Sequence, residues 1–309
     1  MEAPAVGYGQ FVVNPMPAAE VEITADLVRR LLAAQQPDLA GLPVELLANG
    51  WDNTLFRLGD GLVVRLPRRR VGANILVNEQ RWLPALAPRL PLPVPVPVRT
   101  GGPGEGYPWP WSIVEFLPGT PASEGPPFDP RRAAADLGGF FGALHAPAPP
   151  DAPANPFRGV PLGQRAANFE QNLASVAGPV DRDAVLAAWE TALAVPAWDR
   201  APVWLHGDPH PANILIRDGA VSAVIDFGDI TAGDPASDLS LAWMLLPAAC
   251  HDRFRAAYAE VSDGPVSDAT WARGRGWALN LAIVFLAWSA DNPRLHEVGR
   301  HTLAAVLAG

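Results

Sequence analysis

Val203-Trp204-Leu205-His206-Gly207-Asp208-Pro209-His210-Pro211-Ala212-Asn213-Ile214-Leu215-Ile216, followed by Ile225-Asp226-Phe227-Gly228-Asp229, is the stretch on which the reading of this chain turns. Apolar runs at 203–205, 214–216 and 221–225 are bounded by Pro, Asp-Gly and Asp, which predicts three short strands with a polar loop between the first two. That loop carries Asp208 and, five residues on, Asn213; Asp226 closes the last run. An acid, an amide and a second acid are thus placed in order by a strand, a loop and a hairpin.

Those residue types suit phosphoryl transfer. A carboxylate is needed to orient the attacking hydroxyl and take its proton, and oxygen ligands are needed to hold magnesium on the phosphates. Kinases space the base and the magnesium-binding asparagine as in H-R-D-x-x-x-x-N, and D-F-G follows after a strand pair. Asp208, Asn213 and Asp226 repeat that order and spacing. Singly, Asp208 before proline is a turn residue, Asn213 a strand cap and Asp-Phe-Gly a common tripeptide. Their coincidence in order, with an apolar hairpin between, carries the reading. His206 is expected to support the loop without transferring protons. His210 is expected to be a solvated loop residue, with lining of the site as the alternative.

Working outward, 24–36 reads as an amphipathic helix capped by Thr24, with Leu27, Val28, Leu31 and Leu32 on its apolar face. Strands are predicted at 44–48, 54–58 and 62–66, and the turns at 49–53 and 59–61 make them an antiparallel meander. Residues 73–87 predict a helix bent or ended near Pro84. The alternating prolines of 91–97 impose an extended surface path, and 111–117 reads as the last sheet strand. From Asp129 the periodicity turns helical, at 130–145, 163–177, 181–194, 236–248, 251–262 and 268–290. Sheet first and helices afterwards give an α+β chain with a small lobe over 1–117 and a larger, mainly helical lobe over 118–309.

With 49% apolar and 18% charged residues, the 309-residue chain has the balance of a folded globular protein. A net charge of −9 disfavours nucleic acid and anionic membranes and suits cationic partners. The single cysteine, Cys250, excludes an internal disulfide and favours a reducing compartment. Residues 1–16 lack the pattern of a signal peptide, and no apolar run has membrane-spanning length. A soluble, cytoplasmic protein is expected.

His206-Gly207-Asp208 with Asn213, Ile225-Asp226-Phe227-Gly228-Asp229, and Gly233-Asp234-Pro235-Ala236-Ser237-Asp238-Leu239 together closely resemble the aminoglycoside phosphotransferase family. Glycine between His and Asp, and Gly-Asp-Pro-x-x-Asp-Leu after D-F-G, distinguish that family from protein kinases. The resemblance implies a protein-kinase-like two-lobe fold and a small-molecule O-phosphotransferase that uses ATP or GTP with Mg2+. Asp208 would be the base, and Asn213 and Asp226 would hold the metal. Asp234 is expected to cap the helix opening at Pro235 and Asp238 to anchor the catalytic loop.

On the nucleotide side the resemblance puts Arg65 of the third strand on the α- and β-phosphates, where family members usually have lysine. Arg68, Arg69 and Arg70 could share that work or be solvated charge. Glu79 would pair with Arg65, the alternative being a surface helix residue. Trp51 and Asn53, in the loop after the first strand, would cover the phosphates, and Glu115 to Leu117 would form the hinge that meets the purine. The implied acceptor is an aminoglycoside or related antibiotic. Within the fold, a macrolide, a peptide antibiotic, choline, homoserine or a sugar are alternatives. A silent nucleotide-binding pseudokinase, suggested by Arg65, stands against the intact Asp208, Asn213 and Asp226.

Overall fold

A computed structural model describes residues 18–309; the expectation for the signal-peptide region, residues 1–16, lies outside them. Helix α1 (Ala25–Gln35) begins where Thr24 Oγ1 accepts a hydrogen bond from Leu27 N at 3.2 Å. It buries Leu27, Val28, Leu31 and Leu32 in a core shared with Phe56, Leu58, Val64, Leu66, Trp111 and Ile113 of the sheet. That sheet comprises β1 (Val44–Asn49), β2 (Asn53–Leu58), β3 (Leu62–Pro67), β4 (Pro97–Gly101) and β5 (Trp111–Glu115), in the antiparallel order β1-β2-β3-β5-β4. The expected meander is β1 to β3. The strand at 111–115 pairs inside the sheet with β3, and an unanticipated strand, β4, takes the edge. An edge is where the missing N–H of Pro97 costs no ladder bond.

Helix α2 (Arg70–Leu86) starts three residues earlier than its periodicity suggests and keeps Pro84 in its last turn. After β5 the chain crosses to β6 (Thr120–Pro121), which pairs with β8 (Ile214–Arg217) and through it with β9 (Ala220–Val224). A second small ladder joins β7 (Val203–Leu205) to β10 (Thr231–Gly233). These two ladders sit among α3 (Pro130–Leu144), α4 (Ala166–Ser175), α5 (Arg182–Leu193), α6 (Ala236–Leu239), α7 (Leu241–Leu245), α8 (His251–Val261), α9 (Asp268–Trp288) and α10 (Pro293–Leu307).

Two helical expectations are corrected. The stretch 236–248 is not one helix: it breaks at Ser240, whose hydroxyl donates to the Ser237 carbonyl at 2.6 Å, and ends before Pro247. The helix α10, absent from the periodicity reading, opens on Asn292, whose side chain accepts from Leu295 N, with Pro293 as its first residue. Helix α9 runs through the middle of the lobe and is buried on most of its surface, as a helix apolar all round must be. Among the described residues no helix is long and apolar enough to cross a membrane.

Candidate active site

The loop after β7 is fixed by one buried carboxylate. Asp238 Oδ2 accepts from His206 N at 2.7 Å and Oδ1 accepts from Gly207 N at 3.0 Å. The same carboxylate lies 3.2 Å from His145 Nε2, whose Nδ1 contacts the Tyr258 hydroxyl at 3.0 Å. Asp238 therefore anchors the loop as expected. Asp234 also caps as expected, accepting from Ala236 N at 3.0 Å, and forms a buried fork with Arg273 at 2.7 and 3.1 Å. His206 is wholly buried. Its Nδ1 accepts from Asp208 N at 3.2 Å, which leaves Nε2 protonated to donate to the Ile225 carbonyl at 3.0 Å. Both ring nitrogens are thereby spent on tying the Asp208 loop to the strand end that carries Asp226.

Gly207 has φ +89°, and a β-carbon there would lie 2.1 Å from the Asp229 carbonyl oxygen. The glycine between His206 and Asp208 is thus required both by its backbone conformation and by the closeness of the two loops. Asn213 ends a 3₁₀ turn at Pro211–Asn213 and donates its Nδ2 to the Asp208 carbonyl at 2.9 Å, so its Oδ1 remains for another partner. Ile225 N bonds the Asn213 carbonyl at 2.9 Å, which sets Asp226 directly after the β8–β9 hairpin. Asp226 stands at φ +65° with its carboxylate exposed. Gly228 beside it lies under α2: a β-carbon there would meet Ile75 Cγ2 at 2.9 Å. The loop acids are in this way pressed against the helix that carries Glu79.

Across the cleft, Arg65 and Glu79 form a buried ion pair, with side chains 8% and 0% exposed. The surface-helix alternative for Glu79 is therefore excluded. Burial pushes the Glu79 carboxyl up and Arg65 opposes it. Burial disfavours the Arg65 charge, but Glu79, and after it Asp226, hold that charge in place. Glu79 Oε2 is buried without a hydrogen-bond partner. Arg68 and Arg69 are not solvated charge: Arg68 N donates to the Asp52 carbonyl at 2.8 Å, Arg68 Nη1 to the Gly50 carbonyl at 3.1 Å, and Arg69 Nη2 to Asp52 Oδ1 at 2.8 Å. They pin the β1–β2 loop. Burial, then Asp226, raises the Asp52 carboxyl above its ordinary range against the pull of Arg69, which places this loop within electrostatic reach of Asp226. Trp51 is exposed at the loop tip and Asn53 opens β2 with its Oδ1 buried and unpartnered. Glu115 ends β5 exposed, Phe116 N bonds the Gly61 carbonyl at 2.8 Å, and Leu117 is half-buried.

Three further side chains gather at Asp208, and one of them, Arg158, lies outside the motif. Arg158 Nη2 donates to Asp208 Oδ1 at 2.7 Å. His210 Nε2 lies 3.4 Å from Asp208 Oδ2, and its ring, edge-on to Phe285 and only 12% exposed, is not the solvated residue expected from its loop position. Asp229 accepts from Asn155 Nδ2 at 2.8 Å. Burial alone would raise the Asp208 carboxyl, but Arg158, and then His210, hold it well below the usual carboxylate range. The neighbouring Asp229 carboxyl is raised, by burial first and then by Asp208. Arg158 is invisible to motif reading because it lies in an irregular stretch fifty residues before the acid it touches. Arg65, by contrast, loses its singularity in composition: the chain has no lysine, all 23 basic residues being arginine.

Among the described residues no group of three or more His, Cys, Asp or Glu could hold a metal alone. Asn213 and Asp226 offer oxygens from two sides of one hairpin. That donor set fits Mg2+, which takes few protein ligands and completes its shell with phosphate and water.

The sequence model of the phosphotransferase enzyme family matches residues 43–277, from the start of β1 into the first half of α9. The chain belongs to that family. The phosphotransferase is a small-molecule kinase with the kinase-like fold. A complex of aminoglycoside 2'-phosphotransferase-IIIa with GDP is 20% identical, covers 93% of this chain and 99% of its own, and superposes with a TM-score of 0.69. The GDP and kanamycin complex of APH(2")-IIIa is 21% identical over 91% and 98%, TM-score 0.68. Macrolide 2'-phosphotransferase from Brachybacterium faecium is 23% identical over 91% and 97%, TM-score 0.60. At these identities the likeness is one of fold. A search of curated proteins finds no match for the phosphotransferase.

Proposed function

We propose that this enzyme transfers the γ-phosphoryl group of ATP or GTP to a hydroxyl of an antibiotic of the aminoglycoside type. Asp208 receives the acceptor hydroxyl. The observation that carries the reading is the coupling of Asp208, Asn213 and Asp226 into one unit by the Asn213 Nδ2 to Asp208 carbonyl and Ile225 N to Asn213 carbonyl bonds. Asn213 Oδ1 and the Asp226 carboxylate would hold Mg2+, which neutralises phosphate charge when bound.

A carboxylate held low by Arg158 is a weak base. In a loose transition state its work is chiefly to orient the hydroxyl, taking the proton late. Arg65, fixed by Glu79, presents the remaining face of its guanidinium to the nucleotide phosphates, and the β1–β2 loop with Trp51 and Asn53 covers them. Residues 115–117, between the sheet lobe of 1–117 and the helical lobe of 118–309, meet the base through their main chain. The absence of lysine throughout removes the reason to regard Arg65 as a mark of a silenced site. A macrolide acceptor is the second reading, favoured by the macrolide 2'-phosphotransferases of the same fold.

The test is Mg2+-dependent transfer from ATP and from GTP across aminoglycosides, macrolides, peptide antibiotics, choline, homoserine and sugars. Nucleotide binding without transfer to any of them would overturn the proposal in favour of a pseudokinase.

A further inference from the structure

The segment that carries Arg158 is built rather than loose. Pro153 accepts from Thr231 Oγ1 at 2.8 Å and from Ala232 N at 3.2 Å, and Gly159 accepts from Asp234 N at 2.9 Å. Asn155 donates to Asp229 at 2.8 Å while its own Oδ1 accepts from Phe157 N at 2.8 Å. Gly159, at φ +65°, is so close to β7 and β10 that a β-carbon would meet Leu205 Cδ1 at 2.5 Å and Gly233 Cα at 3.1 Å. These contacts deliver the Arg158 side chain, mostly buried, to the catalytic loop.

Only part of the guanidinium is used there. Nη2 bonds Asp208, whereas Nε is buried with no hydrogen-bond partner. A buried charged donor left unpaired is costly, and Arg158 differs from Arg69 and Arg165, whose Nε atoms are also unpartnered, in that its guanidinium already bonds the acid of the Asp208 loop. The loops that carry Asp208 and Asp226 supply no fixed cation of their own. Between Val203 and Asp229 the sole arginine is Arg217, an exposed residue 3.5 Å from Asp218. Phosphoryl transfer spreads charge over the oxygens of the moving group, and an arginine supplied from within the chain is a recurrent way to meet it.

We infer that Arg158 is a further catalytic residue: one edge of its guanidinium fixes Asp208 while the other donates to the phosphoryl group in flight. The inference rests on the kinase reading above. In the step, the bond between the γ-phosphorus and its bridging oxygen to the β-phosphate breaks. A bond from that phosphorus to the acceptor oxygen forms, the acceptor proton passes to Asp208, and the nucleoside diphosphate leaves with the bond electrons. Arg158 forms no covalent bond. It offsets charge on the non-bridging oxygens.

The test compares wild type with R158Q and R158K. R158Q keeps a donor for Asp208 without the charge; R158K keeps the charge without the fork. With Mg2+ and ADP or GDP, affinity is measured by calorimetry with and without fluoroaluminate, a mimic of the transferred group that needs no knowledge of the acceptor. Wild type should gain affinity with fluoroaluminate. R158Q should bind the diphosphate as wild type does, lose that gain, and lower kcat by about a hundred- to a thousandfold with the nucleotide KM little changed. R158K should recover part of both. A wild type that binds no diphosphate overturns the kinase reading and this inference together. A wild type that binds diphosphate without responding to fluoroaluminate, or an R158Q that responds as strongly, overturns this inference alone.

Discussion

The carbonyl oxygen of Asp229 lies where a β-carbon on Gly207 would have to be, 2.1 Å away. The Asp208 loop and the turn after Asp226 are therefore in backbone contact, and only hydrogen at residue 207 permits it. Gly207→Ala should separate them. The variant should lose at least about a hundredfold in kcat and about 2 kcal/mol or more in stability, since a left-handed backbone and a backbone clash add. Steady-state kinetics with urea unfolding check both.

The roles proposed for the two acids part in a simple way. Asp208→Asn should lower turnover by about a hundred- to ten-thousandfold while leaving nucleotide affinity near wild type. Asp226→Ala should instead abolish the magnesium dependence of nucleotide binding. Calorimetric titration of both variants with ATP and GTP, with and without Mg2+, decides the matter; equal nucleotide affinities in the two would contradict the assignment.

Arg65 and Glu79 should behave as a unit. Arg65→Met leaves a buried carboxylate uncompensated and should cost about 3–5 kcal/mol of stability. Adding Glu79→Leu to it should restore much of that stability while nucleotide binding stays impaired. Arg65→Lys should fold and retain the pair, with a changed nucleotide KM. Chemical denaturation of the single and double variants, analysed as a thermodynamic cycle, measures the coupling.

Asp238 offers its two oxygens to the consecutive N–H groups of His206 and Gly207. In Asp238→Asn one oxygen becomes an amide that can only donate, so a buried backbone N–H loses its acceptor. A loss of about 2–3 kcal/mol in stability is expected, with a fall in kcat, because the loop that carries the proposed base, Asp208, is displaced. Hydrogen exchange at residues 206 and 207 should quicken in step.

His251, between Trp243 and Trp271, has its pKa lowered by burial. Its folded-state value lies below its unfolded one, so the unfolded chain binds the proton more readily as pH falls below about 6.5. This group's contribution is present above that pH and is lost as pH drops through the folded value. Thermal unfolding between pH 7.5 and 5 should show the decline, and His251→Gln should reduce it.

The β1–β3 meander and the loop acids were legible because turn residues and motif spacing are local. The same locality explains what stayed hidden. Arg68 and Arg69 read as a basic run, and only the fold turns their guanidinium groups back onto Gly50 and Asp52. Arg158 has neither periodicity nor motif, and its bond to Asp208 depends on Pro153 and Gly159 being held by β10 and Asp234. Helix α10 carried a readable start in Asn292-Pro293, but its apolar positions are sparse enough that periodicity alone passed over it.

Reagents that profile kinases by acylating the amine of the phosphate-binding strand would find none at residue 65. A guanidinium there is a poor nucleophile and keeps its proton at any pH the fold survives. Electrophilic inhibitors designed around that amine would spare this enzyme.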